Sequence, residues 1–246
     1  MEYFHGECEG LSFSFIPFYL KSRIESTNIV AYVVNPGTPD TIKFNIFKRI
    51  NKIGKQRNRE ELRDAFYQDS LSGYIKELAE SAEFLQATHR LVRKKGLADR
   101  ELVCRYFAFN LLYDFFKTTE SMDDFLDKGM NALSALFEEN FERRIVYFKT
   151  TMQRCYALLK DITFININSS RKRINKNLFD AFSYAIAQLS EDGYQRLLGQ
   201  VELFNEKYRK LFEEDGFLSE MKLKQNSKRA VIDRFQKMEK FIKQFI

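Results

Sequence analysis

The chain has 246 residues, with 40 Lys and Arg against 34 Asp and Glu, for a net charge of +6. A chain of this length buries roughly 70% of its unfolded surface, so it can fold without a disulfide or a metal, as one large domain or two small ones. The mild basic excess permits nucleic-acid binding without demanding it, and no uncharged stretch reaches the length of a membrane span. The first residues lack the basic start and apolar run of a signal peptide. Three cysteines, Cys8, Cys104 and Cys155, are an odd number at wide spacing. Cys104 and Cys155 lie in apolar helical patterns, which suits buried free thiols in a reducing cytoplasm. A cytoplasmic protein with no membrane partner is expected. Three prolines and ten glycines against 25 phenylalanines point to long helices around an aromatic core.

Residues 12–15 alternate Ser and Phe and could form a short strand. Asn28 to Val34 is the best strand signal in the chain: β-branched, short, and ended by Asn35-Pro36-Gly37. From Asp40 onward the pattern is helical. Ile42, Ile46, Ile50 and Phe47 fall on one face of a first helix, and Gly54 sits where such a helix would close. Asn58 with Glu61 is a capping box opening a second helix, with Leu62, Ala65 and Phe66 on one face. Between the two lies a basic turn holding Lys52, Lys55 and Arg57, which reads as a phosphate site or as a solvated connector. Further helices are expected over residues 70–88 and 99–116. Another starts at Ser121 with Asp124 and continues past Leu158, with a break near Glu139 and Asn140. Residues 162–173 read as a polar loop. Asn175 caps the next helix, residues 194–212 form another, and Ser227 caps the last.

Known catalytic signatures are missing. There is no Gly-x-x-x-x-Gly-Lys loop, no dinucleotide fingerprint and no Cys pair at metal spacing. His5 and His89 are too isolated for a metal cluster, and His89 reads as an exposed helix-end residue. Asp123-Asp124 and Glu138-Glu139 look like a helix start and a solvated helix end. Three basic groups are the better candidates for gripping a nucleic-acid backbone. They are Arg90, Arg93, Lys94, Lys95 and Arg100; Arg171, Lys172 and Arg173; and Lys222, Lys224, Lys228 and Arg229. Each alone reads as a solvated face, and convergence on one surface strengthens the binding reading.

The Phe47-to-Asn51 segment followed by Asn58 to Ala65 resembles the Phe-x-x-x-Asn motif and downstream helix of the GmrSD-type restriction endonuclease N-terminal family. Asp99 to Phe109, Met122 to Leu126, Asn175 to Ala181 and Ser227 to Phe235 are similar to later segments of that family, in the same order. The resemblance implies a ParB/sulfiredoxin-like nuclease fold joined to a helical domain, acting in prokaryotic defence with nucleotide hydrolysis and DNA cleavage. By it, Phe47 and Asn51 are catalytic residues with Arg49 as a neighbouring phosphate ligand, and a nucleoside triphosphate with Mg²⁺ is the implied cofactor; Lys55 and Arg57 are candidate phosphate ligands from the basic turn itself. The family's Asp-Gly-Gln-Gln-Arg segment is not found here. Gly54-Lys55-Gln56-Arg57 echoes it, but follows the Phe-x-x-x-Asn element and is preceded by Ile53 instead of an acid.

The expected fold is therefore mainly α: residues 1–69 as an incomplete α+β, ParB-like remnant, and residues 70–246 as a helical domain. The expected role is a truncated fragment or subunit of a GmrSD-like defence protein, contacting DNA or nucleotide and not catalytic alone. Two alternatives stand beside it: half of a split NTP-dependent endonuclease completed by a partner chain that supplies the missing motif, or a helical interaction scaffold.

Overall fold

Helix starts are set by side chains that cap free backbone donors, and the caps expected at Asn58, Ser121, Asn175 and Ser227 form, whereas Asp99, which the sequence also offers as a cap, lies inside the first turn of the helix that begins at Ala98. Asn58 Oδ1 accepts from the Glu61 amide at 2.8 Å while Glu61 returns a bond to the Asn58 amide. Ser121, Asn175 and Ser227 each accept from an amide in the first turn that follows. Each such cap contributes about 1 kcal/mol. The computed structural model describes residues 8, 10–31, 33–50, 58–67, 71–116, 121–213, 217 and 227–246, and at 40, 41, 48 and 137–140 only the backbone.

The chain divides into two units, Met1–Pro39 and Asp40–Ile246. In the first, a 3-10 turn at Phe13–Phe15 leads through Pro17 into α1 (Phe18–Glu25), where Cys8, Ile16 and Leu20 form a small core. In the second are α2 (Asp40–Ile50), α3 (Arg59–Phe66), α4 (Ser72–Glu80), α5 (Ala82–Ala87), α6 (Ala98–Phe116) and α7 (Met122–Ala135). After them come α8 (Phe137–Leu159), α9 (Lys176–Ala187), α10 (Glu191–Leu198), α11 (Val201–Leu211) and α12 (Lys228–Ile242). Helix α6 lies at the centre, packed on α4, α7 and α9, while α9 also touches α8 and α12. One continuous core runs from Tyr67 to Phe245 and is largely aromatic. Phe235, for example, meets Phe109 at 4.7 Å, Tyr113 at 4.8 Å and Tyr184 at 5.1 Å between ring centres.

Mainly-α architecture is what the sequence predicts, but several elements differ. No strand forms among the described residues, so they show no part of the expected sheet remnant, and the pairing of Ile165 with Ile174 is an isolated bridge. Phe13–Phe15 is a 3-10 turn instead of a strand. The helix expected over 70–88 breaks at Ser81, whose hydroxyl caps Phe84. The 194–212 helix is two, α10 and α11, parted at Gly199 and Gln200. The break expected near Glu139 falls at Leu136. On α2 it is Phe44, 3% exposed, that faces the core, with Phe47 half-buried beside it; Ile42, Ile46 and Ile50 point outward. Aromatic partners explain the choice, since Phe44 packs edge-on to Phe66 at 5.0 Å.

Helices α6 and α7 approach closely because Gly129 has no side chain. A Cβ there would stand 2.5 Å from the Ala108 Cβ. Gly129→Ala should force α7 away from α6 and destabilise the protein by about 1–3 kcal/mol, read from urea unfolding. A loss below experimental error would mean that the two helices slide apart freely.

Candidate functional site

Two ion pairs fix α6 against α9. Lys176 Nζ reaches Glu101 Oε2 at 2.6 Å. One turn further on, Arg105 binds Asp180 with Nε at 2.9 Å from Oδ1 and with Nη2 on Oδ2. Pairs that advance by four residues on both helices make α6 and α9 parallel, so both begin at the same end. The loop entering α6, residues 88–97, and the loop entering α9, residues 160–175, therefore come together. His89 Nε2 lies 3.3 Å from the Thr163 carbonyl oxygen and its ring 6.2 Å from Tyr156. His89 is thus half-buried in a loop contact, where the sequence suggested an exposed helix end.

Between Thr88 and Ala98, and again between Ile162 and Phe179, the chain carries no acidic residue. Arg90, Arg93, Lys94 and Lys95 stand exposed on the first loop, and Arg171, Lys172 and Arg173 on the second. Lys94 pairs with Glu80 at 3.2 Å; the other six have no ion-pair partner among the described residues. Two helix N-termini add partial positive charge at this end. Backbone strain gathers here as well. The described non-glycine residues with positive φ are His89, Arg90, Leu97, Lys160 and Phe164, all within these two loops. Such conformations cost on the order of 1–3 kcal/mol each and persist where the surroundings hold them.

A buried polar network joins α3, α6 and α7. Arg63, 2% exposed, donates from Nη1 to Glu60 Oε2 at 2.6 Å, from Nε to Asp127 Oδ1 at 2.7 Å, and from Nη2 to Asp123 Oδ1 at 3.3 Å. Cys104 Sγ donates to Glu60 Oε1 at 3.2 Å. One guanidinium thus serves three carboxylates, with Glu101 acting on Glu60 as a further negative charge. Burial, and the Glu101 charge with it, raise the Glu60 pKa above its ordinary 4.5 against the pull of Arg63. A carboxyl whose folded pKa is raised binds a proton that the unfolded chain has released. Its contribution is full below 4.5 and is lost as pH rises through the folded value. The unfolding free energy of Glu60→Gln should therefore vary less with pH just above 4.5 than that of the natural protein. A natural-protein curve rising more steeply than the variant's across that window would show Glu60 held in its charged form.

Other residues singled out from the sequence are placed as follows. Phe47 packs against Phe66 at 6.1 Å between ring centres, and Arg49 is exposed on α2. Asn51, Lys55 and Arg57 lie outside the described residues. The chain re-enters the description at Asn58, whose Nδ2 donates to the Gly96 carbonyl at 2.9 Å, so the start of α3 is tied to the first basic loop. Arg100 is spent on Asp64. Lys222 and Lys224 also lie outside the described residues, while Lys228 and Arg229 open α12. Sequence reasoning missed Arg63, Arg105 and Asp180. Arg105 did carry a signal, since a cation inside Leu102-Val103-Cys104-Arg105-Tyr106-Phe107 must find a buried partner.

A groove of about 460 Å³ lies elsewhere, along α8 and the α9–α10 turn. Its Arg154 is already held by the Leu189 carbonyl and by Glu191. No group of His, Cys, Asp or Glu among the described residues is arranged to hold a metal ion, and no described helix is long and apolar enough to cross a membrane. No family model matches the chain, and no curated protein or solved structure matches it either. Fold and surface chemistry therefore carry the functional reading: a helical protein with a two-loop basic end.

Proposed function

We propose that this chain is a non-catalytic, nucleic-acid-contacting subunit, gripping the phosphate backbone of DNA with the paired loops 88–97 and 160–175. The observation that carries the reading is the meeting of two basic loops, without acidic residues over 88–98 and 162–179, which the parallel α6–α9 pair brings to one end. Arg90, Arg93, Lys95, Arg171, Lys172 and Arg173 neutralise phosphates, and the strained loop backbone holds them in place. No exposed Phe or Tyr stands on either loop, so contact falls on the backbone and leaves sequence unread.

This role fits the subunit of a GmrSD-like defence system that the sequence resembles. In that setting Phe47 and Asn51 belong to the segment that resembles the family's Phe-x-x-x-Asn motif, and Lys55 and Arg57 follow it in the sequence as further candidate phosphate ligands. Fluorescence anisotropy with a short labelled DNA duplex tests the reading. Binding is expected at about 50 mM salt, with no hydrolysis of ATP or GTP by the chain alone. Failure to bind at that salt would refute DNA contact. Robust nucleotide turnover lost in Asn51→Ala would refute the non-catalytic assignment.

A further inference from the structure

Two loops that carry cations without counter-charge repel one another, so their meeting needs a specific tie. The stretches 88–98 and 162–179 each hold four Lys and Arg and no Asp or Glu. Among the described residues only Lys94 and Lys176 of these are paired, with Glu80 and Glu101. One hydrogen bond spans the two loops among the described residues, between His89 Nε2 and the Thr163 carbonyl oxygen at 3.3 Å. A carbonyl oxygen can only accept, so the His89 nitrogen is the donor.

Both ends of that bond are held from behind. On the first loop the Arg90 amide donates to the Leu85 carbonyl at 2.9 Å and the His89 amide to that of Gln86 at 3.1 Å, with His89 and Arg90 both at positive φ. On the second the Thr163 hydroxyl donates to the Lys160 carbonyl at 2.7 Å. Its neighbour Phe164, also at positive φ, is fully buried and packs on Phe179 of α9 at 4.8 Å between ring centres. Tyr156 of α8 closes the joint, its ring 6.2 Å from that of His89 and 5.3 Å from Lys160 Nζ. Residues in costly backbone conformations thus flank the bond on both sides, where their surroundings must hold them. Elsewhere each loop has its own support. Asn58 of α3 donates to the Gly96 carbonyl at 2.9 Å, and Asn168 donates to the Phe212 carbonyl at 2.8 Å. Those anchors fix each loop separately and leave the spacing between them to His89.

We propose that His89 is the positioning residue of the basic end: its bond to Thr163 holds the two loops at one spacing, so that both reach the same phosphate backbone. The proposal rests on the DNA-contact reading above. It is tested by anisotropy with a labelled duplex, comparing the full chain with His89→Phe and His89→Gln from about 50 to about 200 mM salt. Phe keeps a ring against Tyr156 and loses the donor, whereas Gln keeps an N–H donor at similar reach. His89→Phe should bind about tenfold more weakly at the low-salt end. Its slope of log affinity against log salt should be about −3 in place of about −5, because roughly three phosphate contacts are lost with one loop. His89→Gln should stay within about threefold of the natural chain with its slope unchanged. A structural loss that only lowers the folded fraction leaves the slope alone, so a slope near −5 in His89→Phe would overturn the proposal while leaving DNA contact standing. Equal changes of slope in both variants would overturn it too, as would loss of helix in His89→Phe by circular dichroism. Absence of binding by the unsubstituted chain would instead refute the DNA reading, and this proposal with it.

Discussion

Asp180→Asn should lower the unfolding free energy by about 3–5 kcal/mol, because it leaves the Arg105 guanidinium buried without its main counter-charge. Arg105 is 4% exposed and Asp180 1%, so water cannot substitute. Its remaining acidic neighbour, Glu101, is 3.7 Å away and already bound to Lys176. Replacing both residues by apolar ones of similar shape, Arg105→Met with Asp180→Leu, should recover most of the loss. Urea unfolding of the two variants separates the outcomes. If the single and the double variant were equally destabilised, the pair would be a source of net stability and not a device that sets which residues of α6 face α9.

That alignment matters because it places the basic loops. Substituting Arg93, Lys95, Arg171 and Arg173 by Ala should weaken DNA binding by at least about a hundredfold at low salt. All four are exposed and without ion-pair partners among the described residues, so the fold should tolerate the change, with stability altered by about 0.5 kcal/mol or less. Removing only Arg93 and Lys95, or only Arg171 and Arg173, should each cost about half of the logarithmic effect if both loops lie on one DNA backbone. Should one pair account for all of it, the loops do not act together.

The helical class and most helix starts were legible in the sequence because a cap is a local signal. Asn58 with Glu61, Ser121, Asn175 and Ser227 each act on amides within three residues. Breaks inside long periodic stretches were less legible. Ser81 is compatible with a helix interior as well as with a cap, and the apolar period continues through Leu78 and Phe84 on both sides of it. Periodicity also could not say which face of α2 turns inward, since Ile42, Ile46 and Ile50 make as good a stripe as Phe44 and Phe47; Phe66 and Tyr67 decide. The strand signal at residues 28–34 reports how well side chains suit a sheet, and a sheet needs a second strand. As for the site, the charges on both loops were plain in the sequence. Their meeting was not, because it depends on Arg105 and Asp180, 75 residues apart, and on the contact of His89 with Thr163.

The most direct test is the salt dependence of DNA binding by the unsubstituted chain, from about 50 to about 200 mM. Six phosphate contacts give a slope of about −5 in log affinity against log salt, and a loss of roughly a thousandfold across that range. A slope near zero, or affinity too weak to measure at the low-salt end, would contradict a backbone grip by the paired loops.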